Sequence, residues 1–117
     1  MVGLLAVALL AACGGGGGGN AQPAGSVKVT MTEFAFSPST LSVPSGKVVF
    51  YLVNAGSVAH DMVIKDSSGT IAGRSELVSA GDSFVFTVPS LVAGKYRFVC
   101  DQPGHETNGM FGTLTAT

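Results

Sequence analysis

Residues 95–117, KYRFVCDQPGHETNGMFGTLTAT, decide how the fold is interpreted. The first run, KYRFVC, predicts a β-strand with Tyr96, Phe98 and Cys100 on one face. The last run, FGTLTAT, predicts a second strand. Between the two runs, DQPG and ETNG are turn signals. The pattern therefore predicts two strands joined by a loop that turns twice.

The same strand pattern extends upstream to residue 26. The runs VKVTMT (27–32), KVVFYLVN (47–54), DMVIKD (61–66) and DSFVFTVP (82–89) are rich in β-branched and aromatic residues, and turn signals such as VPSG, NAGS and SAGD separate them. KVVFYLVN has the composition of a strand that is buried on both faces. The segment TIAGRSELVS (70–79) fits either a strand pair or an irregular loop.

Seven or eight short strands at this spacing predict an all-β domain over residues 26–117, either a Greek-key β-sandwich or a barrel. No stretch shows convincing helical periodicity. The phenylalanines, Tyr51, Tyr96 and the aliphatic residues are sufficient to fill the space between two sheets.

Composition excludes several classes of protein. The chain has 117 residues, which allows one small domain, and its net charge of −1 without a basic block excludes nucleic acid as a partner. No apolar run is long enough for a membrane-spanning helix. Two cysteines are too few for a disulfide scaffold. We expect a monomer.

The N-terminal residues predict export. Residues 1–12, MVGLLAVALLAA, have the apolar run and small residues of a signal peptide. The sequence LAAC, ending at Cys13, resembles the lipobox of bacterial lipoproteins, which implies that Cys13 carries the lipid. The glycine-rich residues that follow, within 13–25, predict a flexible tether. Two alternatives remain: a secreted protein in which Cys13 has no role, and a disulfide between Cys13 and Cys100.

A set of soft metal ligands lies in the C-terminal loop. Cys100, His105 and Met110 follow one another at five-residue spacings, and the two predicted turns bring their side chains toward one point. A thiolate, an imidazole and a thioether suit copper. A trigonal copper site needs a second histidine, and His60, which opens the run HDMVIKD, is the other histidine of the chain.

The domain resembles the cupredoxins, the small blue-copper proteins. The resemblance rests on VAHDMVI and on YRFVCDQPGHETNGMFGTLTAT, which matches the family pattern Y-x-[FY]-x-C, C-x4-H, H-x4-M and G-x-L. The spacings are most similar to those of the auracyanin and rusticyanin branch. The resemblance implies one copper ion, with His60, Cys100 and His105 in the trigonal plane and Met110 in the axial position.

The resemblance also implies how the protein would be used. It implies a one-electron carrier, anchored in the periplasm or at the outer face of a bacterial membrane, that serves a cytochrome or a membrane electron-transfer complex. The partner would dock near His105, on an apolar patch that includes Pro103, Gly104, Gly109 and Phe111.

Asp61 departs from the family pattern, in which asparagine often follows the upstream histidine and ties the two ligand loops together. An ionised aspartate accepts backbone N–H bonds but donates none. We therefore expect an altered link between the loops.

Other functions remain as alternatives. Cys–His–His is an acceptable zinc set. A copper chaperone or storage protein and a metal-free structural lipoprotein are further possibilities. We do not expect an enzyme, because Val99 and Asp101 flank Cys100 where multicopper enzymes have a histidine, and the chain has no histidine left for a second metal.

Overall fold

The computed structural model describes residues 21–117, so the signal peptide, Cys13 and most of the tether lie outside the described residues. Nine β-strands and no helix occur in the described part of the chain. In chain order the strands are β1 (Val27–Thr32), β2 (Ala35–Ser37), β3 (Thr40–Val43), β4 (Gly46–Asn54), β5 (Val63–Asp66), β6 (Ile71–Arg74), β7 (Ser83–Leu91), β8 (Gly94–Val99) and β9 (Phe111–Ala116).

The strands form two sheets, which confirms the all-β fold. One sheet has the order β2-β1-β4-β7 and the other has the order β3-β9-β8-β5-β6. Both sheets are mixed, because β1 pairs parallel with β4 and β3 pairs parallel with β9, while the other pairs are antiparallel. The strands are two more than the lower predicted count, because residues 35–43, for which the pattern predicts no strand, contain the short strands β2 and β3 on either side of Pro38.

The core lies between the sheets and follows the alternation of each strand. On β4, Val48, Phe50 and Leu52 are buried while Val49 and Tyr51 are only partly buried, so the expected burial of both faces is wrong. Phe50 stacks on Phe86 from the neighbouring strand at 5.8 Å between ring centroids. Each fully buried phenylalanine contributes about 1.5–3 kcal/mol through its removal from water.

One end of the sandwich collects the segments that carry the predicted ligands. Cys100 directly follows β8, Met110 directly precedes β9, and the loop between β4 and β5 carries His60. Residues 70–79 contain one strand, β6, followed by Val78, which forms an isolated bridge with His60 rather than a second strand. Within residues 21–117 there is no helix long and apolar enough to cross a membrane.

Candidate metal centre

Three predicted ligand atoms converge at this end of the sandwich. The Sγ atom of Cys100 lies 3.7 Å from Nδ1 of His60 and 3.4 Å from Nδ1 of His105. The two Nδ1 atoms lie 3.1 Å apart. Met110 has no exposed surface, and its backbone lies within hydrogen-bonding distance of both C-terminal ligands. The structure therefore brings together a thiol and two imidazole nitrogens beside a buried thioether residue.

The C-terminal loop is held by its own backbone. The Cys100 N–H donates to the Met110 carbonyl at 3.2 Å, and the Met110 N–H donates to the His105 carbonyl at 3.0 Å. The predicted turns contain Gly104 and Gly109, whose positive φ angles of 79° and 105° favour glycine. These bonds fix the three loop ligands relative to one another and to strands β8 and β9.

The loop that carries His60 is organised by Asn54, which is 1% exposed at the end of β4. Its side-chain amide donates to the carbonyls of Val58 and Val78 at 2.8 and 2.9 Å, and its Oδ1 accepts the Gly56 N–H at 2.9 Å. The backbone of His60 exchanges two hydrogen bonds with Val78. The imidazole is thereby held, fully buried, at the edge of the sheet.

Asp61 links the two ligand loops. Its Oδ1 accepts the N–H of Asp101, next to Cys100, at 2.7 Å, and the residue is 5% exposed. The expectation that a carboxylate here accepts a backbone N–H therefore agrees with the structure. The loops are tied by one such bond to the carboxylate.

Glu33 is a functional candidate that the sequence analysis missed. It follows β1, and its Oε1 lies 3.0 Å from Nε2 of His60 while accepting the N–H groups of Ser57 and Val58 at 2.9 and 3.0 Å. These contacts, led by the Val58 N–H, lower the pKa of Glu33 to about 2. No local motif marks this residue, because its contact with His60 spans 27 positions of the chain.

Phe34 was also missed, and it lies over the second histidine. Its ring packs edge-on against the ring of His105, with 5.0 Å between centroids, and it is 38% exposed. The predicted patch residues Pro103, Gly104, Gly109 and Phe111 are exposed nearby along the chain, and His105 itself is partly exposed. Phe34 therefore adds an aromatic ring from the N-terminal half of the domain to the surroundings of His105.

Two acidic residues of the ligand loop, Asp101 and Glu106, are paired with arginines. Arg74 binds the carboxylate of Asp101 at 2.7 Å, and Arg97 binds Glu106 at 3.1 Å. The guanidinium of Arg97 also lies 4.1 Å from the centre of the Phe111 ring. These pairs balance two acidic residues of the ligand loop with two arginines.

The donor set fits a type 1 copper site. His60, Cys100 and His105 form, within residues 21–117, a group whose ligand atoms all lie within 4.8 Å of one another. Burial raises the pKa of the Cys100 thiol, which keeps it protonated until a cation takes the place of the proton. Nitrogen and sulfur donors beside a buried methionine match the ligand preferences of copper, whereas a structural zinc site favours a fourth thiolate, imidazole or carboxylate.

Comparisons with known proteins agree with this geometry. A family model described as a cupredoxin-like domain matches residues 2–116. Auracyanin-B from Chloroflexus aurantiacus is 28% identical over 89% of this chain and 57% of its own length, and plastocyanin from Daucus carota is 33% identical over 70% of this chain and 87% of its own length. The chain thus spans little more than half of the auracyanin-B relative.

The solved structures agree as well. A structure of auracyanin B superimposes with a TM-score of 0.72 and 26% identity, and the match covers 89% of this chain and 96% of that one. Membership of one family explains these similarities together with the two-sheet fold, the ligand spacing and the converging donor atoms. The chain belongs to the cupredoxin-like domain family and is similar to auracyanin in both sequence and structure.

Proposed function

We propose that this protein is a one-electron carrier with a single type 1 copper ion. The observation that carries the proposal is the convergence of the His60 and His105 Nδ1 atoms and the Cys100 Sγ atom within 4.8 Å of one another, beside the buried Met110. His60, Cys100, His105 and Met110 would hold the ion. Copper held there would cycle between Cu(I) and Cu(II) and so supply the one-electron chemistry.

The protein's own contribution is a site that is dry and stiff. His60, Cys100 and Met110 have no exposed surface, so their side chains exclude water. The backbone bonds within residues 100–110 and the Asp61 bond to the second loop restrain the ligands. A restrained ligand set changes little between two oxidation states, which suits electron transfer better than the release of copper to another protein. We therefore propose a carrier and neither an enzyme nor a copper chaperone.

Electrons would enter and leave through His105, the partly exposed ligand. An apolar patch made of Phe34, Pro103, Gly104, Gly109 and Phe111 would receive the partner. Because Arg74 and Arg97 pair with the acidic side chains of the ligand loop, Asp101 and Glu106, docking would depend on apolar contact more than on electrostatic steering. The partner would be a redox protein, either a cytochrome or a membrane electron-transfer complex, that gives or takes one electron.

We also propose that the protein works outside the cytoplasm, held at a bacterial membrane by lipid on Cys13. The LAAC sequence and the glycine-rich residues after it support an anchor and a tether. Cys13→Ser, expressed in a bacterial host, should move the protein from the membrane fraction to the soluble fraction. A variant that stays with the membranes, together with an unmodified Cys13 mass in the wild type, would contradict the lipid anchor.

The decisive experiment is a visible spectrum of the purified full-length chain loaded with Cu(II). We expect an intense band in the red part of the visible spectrum that disappears on adding ascorbate and returns on reoxidation. A protein that takes up copper without this band would be a copper-handling protein instead. No band and no change in melting temperature with copper would favour a metal-free structural lipoprotein.

A further inference from the structure

Glu33 and the His60 ring form a contact on the side of the imidazole that faces away from the ligand cluster. Nδ1 of His60 faces His105 and Cys100 at 3.1 and 3.7 Å, while Nε2 lies 3.0 Å from Oε1 of Glu33. A carboxylate only accepts hydrogen bonds, so the proton on this side belongs to Nε2. A neutral His60 then has its lone pair on Nδ1, which points toward the other donors.

The carboxylate is fixed by the loop that carries His60. Its Oε1 accepts the N–H groups of Ser57 and Val58 in addition to the imidazole. Gly56 leaves room for this carboxylate, because a Cβ atom at position 56 would lie 2.4 Å from Oε1 of Glu33. The Glu33 side chain is 28% exposed, whereas the His60 side chain is fully buried. A charged group is thus held at one place against a buried imidazole.

From this geometry we propose that Glu33 is a positioning residue that selects the Nε2–H tautomer of His60 and strengthens Nδ1 as a copper donor. The proposal deepens the proposed function and rests on it. Carboxylates that accept the distal N–H of a metal-binding histidine orient the ring and raise its basicity. A more basic imidazole stabilises Cu(II) relative to Cu(I), so Glu33 lowers the reduction potential of the site.

Through Glu33 and the residue after it, the N-terminal part of the domain contacts the metal centre. Glu33 contacts His60, and the next residue, Phe34, packs against His105. The short connection between β1 and β2 therefore contacts both histidines from outside the ligand set. Glu33 acts on one histidine by hydrogen bonding and Phe34 on the other by ring packing.

Three variants of the full-length chain and one control variant test the proposal through the reduction potential. Glu33→Gln keeps an acceptor oxygen but removes the charge, and we expect a higher potential. Glu33→Ala removes the acceptor as well, and we expect a further rise together with Cu(II) binding that is weaker by about 10–100-fold. Gly56→Ala keeps Glu33 but places a methyl group where its carboxylate lies. It should therefore change the reduction potential and the Cu(II) affinity in the same direction as Glu33→Ala.

Glu106→Gln is the matched control. Glu106 lies in the ligand loop and pairs with Arg97, so the variant removes one nearby charge without touching His60. The shift in potential for Glu33→Gln should exceed that for Glu106→Gln. Equal shifts for the two variants, or none for either Glu33 variant, would overturn the proposal, because Glu33 would then act only as a surface charge or a structural residue.

A second readout needs no copper. In the copper-free wild type, nitrogen NMR at a pH where His60 is neutral should find the proton on Nε2, and Glu33→Ala should give a mixture of tautomers. An unchanged tautomer in the variant would overturn the proposed selection. A wild type without a red band would overturn the proposed function and the copper donor role together, whereas a blue wild type with unaffected Glu33 variants would overturn this inference alone.

Discussion

The carboxylate of Asp61 accepts the N–H of Asp101 at 2.7 Å and thereby joins the residue after one histidine ligand to the residue after the cysteine ligand. The bond crosses from the loop before β5 to the loop after β8, and it is part-buried, because Asp61 is 5% exposed whereas Asp101 is exposed. One side chain therefore sets the spacing of the two loops that carry the candidate ligands.

Loss of this bond should loosen the site. Asp61→Ala leaves the part-buried N–H of Asp101 without its acceptor, which should cost about 0.5–1.5 kcal/mol in the free energy of unfolding. Asp61→Asn keeps an acceptor oxygen and should lose less. Urea unfolding of the copper-free protein measures both. Equal losses for the two variants would contradict the assignment of the bond as the stabilising contact.

Asn54 should be a stability determinant of the His60 loop. Asn54→Ala removes two donors and one acceptor from backbone groups and leaves the buried carbonyl of Val78 without this partner, so we expect a loss of about 1–3 kcal/mol and faster amide exchange at Val58 and Val78. Asn108→Ala is the control, because the Asn108 amide also donates to a backbone carbonyl, that of Gly104, but is exposed. A larger loss for the control would contradict the role of burial.

The ligand assignment predicts different outcomes for substitution of the two sulfur-containing ligands, Cys100 and Met110. Cys100→Ser should abolish the red absorption band, because the band arises from charge transfer between thiolate and copper. Met110→Leu should retain copper and raise the reduction potential, because an axial donor tunes the potential of such a site. Visible spectra and potentiometry distinguish the two. A Cys100→Ser protein that stays blue would show that the ligand set is wrong.

Phe34 should be part of the surface used for electron exchange. Phe34→Lys places a charge on the patch beside His105, and two copies that meet through this face would repel each other. We expect slower self-exchange between the Cu(I) and Cu(II) forms, measured by NMR line broadening, with an unchanged visible spectrum. Val92→Lys is the control, because Val92 is 73% exposed between β7 and β8, at the opposite end of β8 from Cys100. Equal slowing by both variants would indicate a general effect of charge.

The turn between β5 and β6 should give a local dependence of stability on pH. Asp66 accepts hydrogen bonds from the Ser68 hydroxyl and from the N–H groups of Ser68 and Thr70, and these bonds, the Ser68 hydroxyl first, lower its pKa below 3.8. Its stabilising contribution is therefore present above the unfolded pKa and is lost as the pH falls through the lower folded value. Wild type and Asp66→Asn should differ in melting temperature at neutral pH and converge in acid. A difference that stays constant down to low pH would contradict this role.

The sequence by itself determined the strands with strong alternation and the C-terminal ligand loop. Cys100, His105 and Met110 belong to one short segment, so their convergence follows from two turns with Gly104 and Gly109 between two strands. His60 could be assigned as a ligand because the site needs a second histidine and the chain has only two. Local pattern was less informative for β2 and β3, where Pro38 and the surrounding turn residues hid two short strands.

The tertiary structure alone decided which residues surround the ligands. Glu33 and Phe34 lie in an unremarkable stretch after β1, and they reach His60 and His105 only because β1 pairs parallel with β4 and delivers its end beside the loop that follows β4. The same holds for the burial of only one face of β4, which depends on what covers the sheet. Local spacing determines contacts within a turn or along a strand, whereas contacts between distant segments depend on strand order and register, which a single sequence leaves open.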